Sequence, residues 1–259
     1  MKVFATYNIK GGVGKTATAV NLAYLSALEG ARTLIWDLDP QGAATFYFRI
    51  QASIDGGGRE LIRGRSDFDL TIRGTDYPGL DLLPADFSYR KMDLDLKKTK
   101  RPTQQLAQLL LPLAFQYDHL FLDCAPSISL VSEGVFVAAD VLLVPTIPTT
   151  LSIRTLEQLE NHLRSRGRLQ PKLLPFFCMV DRRKALHRRI CQCEYLNSAS
   201  WLKTPIPYSS LIEQMGLRRA PVCAFAPSCP PAKAYDRLWQ EIQGKLEHPA
   251  IGTENQSAC

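Results

Sequence analysis

This sequence predicts an α/β fold, a mostly parallel twisted sheet with helices on both faces, and three observations carry the prediction. Short apolar runs at 3–7, 33–36, 80–84, 117–123, 141–145 and 173–180 read as buried strands. Strand, helix and strand follow one another within about 35 residues at the start of the chain, which is a right-handed βαβ unit. A length of 259 residues with 46% apolar side chains suffices for one large domain with a substantial core.

Behind the first strand, residues 9–16 read Ile9-Lys10-Gly11-Gly12-Val13-Gly14-Lys15-Thr16, followed by a helical pattern over 16–29. A phosphate loop of the form G-x-x-x-x-G-K-[ST] ends this way, but Ile9 stands where its first glycine would be. Lys10 is an additional cation at the loop entrance. Three glycines let the backbone wrap a phosphate chain, and their N–H groups with the helix N-terminus form an anion-binding nest. The candidate nucleotide-binding residues are therefore Gly11, Gly12, Val13, Gly14, Lys15, Thr16 and Ala17. Lys15 suits the β- and γ-phosphates and the Thr16 hydroxyl suits Mg²⁺. A glycine-rich turn with chance lysines is the bland alternative; the order of strand, loop and helix weighs against it.

The KGGVGKT loop resembles the deviant Walker A loop of the ParA/MinD family of ATPases, and the chain looks like a small ParA-type partitioning ATPase. The resemblance implies a P-loop NTPase fold, ATP and Mg²⁺ as cofactors, and a homodimer formed with ATP. It implies that Lys10 acts across the dimer on the partner's nucleotide, as an arginine finger does elsewhere. Lys10, Lys15 and Asp39 become the candidate catalytic residues; Thr16, Asp37 and Asp123 become the candidate metal residues.

The remaining elements follow in order. Val20, Leu22, Leu25 and Leu28 give the first helix its apolar spacing, and Gly30 closes it. The strand 33–36 runs into Asp37-Leu38-Asp39-Pro40-Gln41-Gly42, at the sheet edge where open α/β folds bind ligands. Two carboxylates near a triphosphate suit Mg²⁺ and water handling. By resemblance Asp37 sits near the metal and Asp39 orients the attacking water; alternatively one of them caps the next helix. A helix is expected over 43–51, a flexible loop at 55–58, and short elements at 61–65 and 70–73. The charged stretch 89–101 reads as a solvated helix face or loop, and Pro102 opens a helix over 103–111. The strand 117–123 ends in Asp123 ahead of Cys124-Ala125-Pro126-Ser127, a Walker B pattern in which Ala125 departs mildly from the family's D-x-P-P. His119 reads as a surface residue. A helix at 131–139, a strand at 141–145 and a helix at 152–166 come next. The loop 146–150 between the last two resembles a family turn near the dimer interface. Where relatives often carry an adenine-touching Asn, this chain has Cys178-Met179-Val180. The Ile206-Pro207 pair resembles a family strand end, so Pro207 is carried over as an adenine contact. A last helix over 232–246 completes a single ATPase domain of residues 1–248, and 249–259 is a polar tail.

Charge divides the chain. Residues 161–259 hold 15 Lys+Arg against 7 Asp+Glu, while the whole chain is only +6. A basic half suggests a polyanionic partner. Arg182, Arg183, Lys184, Arg188 and Arg189, with Arg218 and Arg219 as a second patch, are the candidate DNA-binding residues. Such residues supply salt-dependent, sequence-independent affinity. If 181–189 is helical, its charges face two directions; a merely solvated basic helix is the alternative. No helix-turn-helix precedes the phosphate loop, so non-specific binding to the nucleoid is expected rather than operator recognition. The resemblance adds an adaptor protein that stimulates hydrolysis and a cargo such as a plasmid, chromosome or protein assembly. A MinD-like membrane-cycling ATPase shares the same motifs, but the C-terminus lacks a basic amphipathic pattern, so no stable membrane anchor is expected. Seven scattered cysteines without a C-x-x-C pair suit reduced thiols rather than zinc or a bridged cluster, which speaks against a reductase on this scaffold. With no signal peptide and no apolar run near the about 20 residues of a membrane helix, a cytoplasmic, nucleoid-associated protein is expected.

Overall fold

The computed structural model describes residues 1–167, 170–193 and 200–247, so the expected tail at 249–259 lies outside the described residues. The strands are β1 (Lys2–Thr6), β2 (Thr33–Asp37), β3 (Arg73–Gly74), β4 (Leu80–Leu83), β5 (His119–Asp123), β6 (Val141–Thr146) and β7 (Lys172–Phe177). They form one sheet in the order β3-β4-β2-β5-β1-β6-β7. Every pairing is parallel except that of the two-residue edge strand β3. Because β5 lies between β1 and β2, the loops after all three converge at one edge. Register then sets Thr6 and Asp37 on either side of Asp123.

The helices are α1 (Lys15–Leu28), α2 (Ala43–Tyr47), α3 (Gly57–Ile62), α4 (Phe68–Thr71), α5 (Met92–Leu96), α6 (Gln105–Leu110), α7 (Leu130–Ala138), α8 (Thr150–Arg164), α9 (Ala185–Ile190), α10 (Ser210–Glu213), α11 (Met215–Arg218), α12 (Val222–Phe225) and α13 (Pro230–Glu247). Strand alternation divides the interior into two cores. Val3, Ala5, Leu34, Trp36, Leu120, Leu122 and Val144 face α5 to α8. Phe4, Ile35, Phe121 and Leu143 face α1 and α13, whose Tyr235, Leu238, Trp239 and Ile242 cover them. Side-chain caps start the helices that flank the site. Ser129 and Ser132 form a capping box on α7, and Thr149 caps α8 through the Ser152 amide.

Four local expectations change. The helix after Gly42 stops at Tyr47 instead of 51. The charged stretch 89–101 is not simply solvated: a 3₁₀ turn at Phe87–Lys91 and α5 bury Tyr89, Met92 and Leu96 beneath their charges. His119 is not a surface residue. Its Nδ1 lies 2.7 Å from Ser26 Oγ, and its ring stands edge-on to Phe4 and Trp239. Only Ala185–Ile190 of the basic run is helical, so 182–184 belong to the turn ahead of it and the two-face geometry does not apply.

Candidate functional site

The chain leaves β1 into a loop that ends at Gly14, whose φ of 94° is left-handed at the start of α1. A Cβ there would come within 2.8 Å of Cys178 Sγ, so backbone conformation and space both require glycine. The two lysines of the loop differ. Lys15 is only 7% exposed, and its Nζ donates to the Lys10 carbonyl at 3.2 Å. Burial lowers its pKa, opposed by the charges of Asp123 and Asp39. Lys10 is exposed, and its Nζ lies 3.4 Å from Ser152 Oγ at the start of α8.

Three carboxylates adjoin this loop. Asp123 is fully buried; Thr6 Oγ1 donates to its Oδ1 at 3.4 Å, and its Oδ2 has no hydrogen-bond partner among the described residues. Burial, and then the charge of Asp37, push its pKa well above the ordinary carboxylate range, while the Thr16 hydroxyl and Lys15 pull it back. Asp37 is also buried, and its Oδ2 accepts from the Thr45 amide at 2.8 Å and the Thr45 hydroxyl at 2.7 Å. Asp37 therefore does cap α2, and its position beside Asp123 leaves it next to the metal locus as well. Burial raises it to about 6. Asp39 is less buried and folds onto the Gln41 amide at 3.0 Å.

These groups fit Mg²⁺. An orphaned, buried carboxylate oxygen beside a hydroxyl, flanked by two further carboxylates, is a hard oxygen set short of a cation. Among the described residues no three His, Cys, Asp or Glu side chains converge as a complete metal cage.

On the other side of the loop lies a cavity of about 210 Å³ lined by Gly12, Gly14, Ala17, Cys178 and Pro207, among others. Pro207 is held there because Val180 and Pro207 pair as a bridge, with Val180 N donating to Ile206 O and Tyr208 N to Val180 O, each at 3.0 Å. Phosphate loop, Asp37, Asp39, Asp123 and Pro207 thus assemble at one sheet edge.

The basic residues do not act as one patch. Arg183 forks onto Asp181 at 2.9 and 3.0 Å, and Arg188 donates to the carbonyls of Arg182 and Arg183. Arg182, Lys184 and Arg189 are exposed around this braced turn. Arg219 lies 4.7 Å over the Phe46 ring and donates to the Phe46 carbonyl at 3.1 Å, so it fastens α2. Thr45, Ser152 and Tyr235 join the site without any motif to announce them. Tyr235 reads in sequence only as an apolar position of the last helix.

A parallel sheet with a glycine phosphate loop after β1, a carboxylate at the tip of the adjacent β5 and another at the tip of β2 beyond it defines a P-loop nucleotide-binding protein. A family model described as AAA domain matches residues 1–173. The Caulobacter vibrioides chromosome partitioning protein ParA is 28% identical over 257 residues, covering 93% of this chain and 94% of its own. An uncharacterized Pseudomonas putida protein is 33% identical over 174 residues, 66% of this chain and 66% of that relative. A putative plasmid partition protein from Borrelia burgdorferi B31, bound to AMPPNP, superposes with a TM-score of 0.82 at 21% identity, over 94% of this chain and 99% of its own. The chain belongs to the AAA domain family, among its ParA-type ATPases.

Proposed function

We propose that residues 1–248 form one Mg²⁺-dependent ATPase domain that dimerises around ATP and binds DNA without sequence preference. With an adaptor protein that stimulates hydrolysis, it positions a cargo on the nucleoid. One observation carries the reading: the phosphate loop bears two lysines, one turned into its own site and one left exposed at its mouth. A cation spare to its own site is what a second copy, docked face to face, would use.

Bound ATP·Mg²⁺ supplies the labile phosphoanhydride and the charge that neutralises its oxygens. The loop N–H groups and Lys15 hold the phosphates in place. Thr16 and Asp123 hold the metal shell, with Asp37 beside them fixing α2. Asp39, the most accessible of the three carboxylates, orients water. Lys10 from the second copy stabilises charge that develops on the transferred group. Arg182, Lys184 and Arg189 meet DNA phosphates, supported by the basic balance of residues 161–259. Two of the relatives named above, from Caulobacter vibrioides and Borrelia burgdorferi, carry the name of partition proteins, which supports a positioning role.

Light scattering with a non-hydrolysable ATP analogue should double the mass, and an electrophoretic assay should show a much tighter DNA complex with ATP than with ADP. A protein that stays monomeric with the analogue defeats this reading. Co-sedimentation with liposomes in ATP would instead favour the membrane-cycling alternative.

A further inference from the structure

We propose that the Glu213 carboxylate accepts a hydrogen bond from the nucleoside of the bound nucleotide, an inference that rests on the ATP-binding reading above. The cavity of about 210 Å³ beside the phosphate loop has a mostly apolar wall, to which Ala17, Cys178, Met179, Pro207 and Ile212 contribute. Among the described residues Glu213 is the one charged side chain on that wall. Pockets of this make-up use their few polar groups to orient and select a ligand. Met179 on the same wall holds a φ of 56°, in the left-handed region where a residue with a side chain is strained, and such strain collects at ligand clamps.

Glu213 closes α10, the short helix that follows Pro207, and it is exposed, so a ligand entering the cavity can reach it. The Tyr208 hydroxyl donates to its Oε1 at 2.9 Å. Tyr208 is held in turn by its amide, which donates to the Val180 carbonyl at 3.0 Å. The bond to Glu213 raises the Tyr208 phenol above its usual range, so Tyr208 stays the donor at neutral pH. The carboxylate is thereby oriented through one oxygen, while Oε2 has no hydrogen-bond partner among the described residues. An ionised carboxylate offers about four lone-pair sites and no donor.

A negative charge beside a phosphate loop repels a triphosphate, and among the described residues no lysine or arginine pairs with Glu213 to cancel it. The part of the ligand that meets Glu213 is therefore its donor-bearing part. A nucleotide sorts its groups in that way. Its anionic oxygens lie at the end that the loop amides and Lys15 take, and its neutral O–H and N–H donors lie on the ribose and the base. The chemistry read by Glu213 is such a donor, either a ribose hydroxyl or the exocyclic amino group.

Calorimetric titration tests the assignment as a cycle. Wild-type protein and Glu213→Ala are each titrated with Mg-ATP, with 2′-deoxy-ATP and 3′-deoxy-ATP, and with purine riboside triphosphate, which lacks the amino group. Glu213→Ala should bind Mg-ATP about tenfold more weakly, the scale of one hydrogen bond to a charged group. One analogue should bind wild-type protein about tenfold more weakly than ATP, and that gap should close in Glu213→Ala. Which analogue it is separates ribose from base. Tyr208→Phe, which keeps the ring, should weaken Mg-ATP about threefold and add nothing to Glu213→Ala. Unchanged ATP affinity in Glu213→Ala, or an analogue gap that persists there, overturns the proposal. Because Glu213 is exposed, the nucleotide-free variant should melt at the wild-type temperature. If it does not fold, the wild-type series decides: when every analogue binds as ATP does, no donor is being read and the proposal falls. A wild-type protein that does not bind Mg-ATP at all defeats the ATP-binding reading, and this inference with it.

Discussion

Lys10 and Lys15 share one loop, yet their surroundings give them separate tasks. Lys15 is enclosed by its own loop and faces Asp123, so Lys15→Ala should lose nucleotide binding in a titration. Lys10, at the loop mouth, reaches the buried Ser152 hydroxyl rather than the enclosed carboxylates, so Lys10→Ala should retain some binding while phosphate release stops. Asp39→Ala should trap an ATP-bound dimer, and normal turnover by that variant would refute the water assignment. That these residues gather at one loop edge was legible because phosphate chemistry demands particular residues at fixed spacing. His119 was not, because its partner Ser26 lies 93 residues away. Burial holds His119 below its ordinary 6.5, although the charge of Asp118 opposes the shift. The unfolded chain therefore binds more protons between the folded pKa and 6.5. The stability contributed by the neutral ring is complete above 6.5 and is lost as pH falls through the folded value. His119→Gln should flatten the drop in denaturation midpoint between about pH 7 and about pH 5. His187, also held low by burial, keeps its own share of that drop in the variant.

At the scale of elements, the strands were readable because buried apolar runs admit few alternatives, whereas the segment from Ala43 to Thr71 was not. Its helices α2, α3 and α4 are too short to show a period, and tertiary contacts hold them in place. Among them α2 adjoins the site. Asp37 fixes its N-terminus through Thr45, while Arg219 clasps Phe46, and Arg49 donates to the Arg218 carbonyl at 3.2 Å and pairs with Asp76. The arginine pair expected to meet DNA thus has one member engaged in the fold. Arg219→Ala should cost about 1 kcal/mol of stability, a melting shift of about 2–4 °C, while leaving DNA affinity nearly intact. Lys184→Ala and Arg189→Ala should do the opposite: thermal melts stay put, and each lowers the salt slope of DNA binding by about 1. A large loss of DNA affinity in Arg219→Ala, without a stability change, would return that residue to the DNA surface.

Across the whole molecule, parallel pairing brings the ligand loops to one edge, and two separate cores hold the sheet between them. That arrangement fixes where a second copy must dock if Lys10 is to reach another nucleotide: against the loop edge. Two basic turns, one per protomer, then become a single bivalent DNA surface, and the second engagement is effectively intramolecular. If each protomer meets about three phosphates, through Arg182, Lys184 and Arg189, the logarithmic salt slope is about −2.7 for a monomer and about −5.4 for the dimer. Binding measured with a non-hydrolysable analogue should therefore fall about twice as steeply with salt as binding measured with ADP. Lys15→Ala should give the shallow slope under both conditions, because it cannot hold the nucleotide that joins the copies. Equal slopes with analogue and ADP in the wild-type protein would mean that nucleotide does not combine the basic turns of two chains, and the switch would have to lie within one protomer.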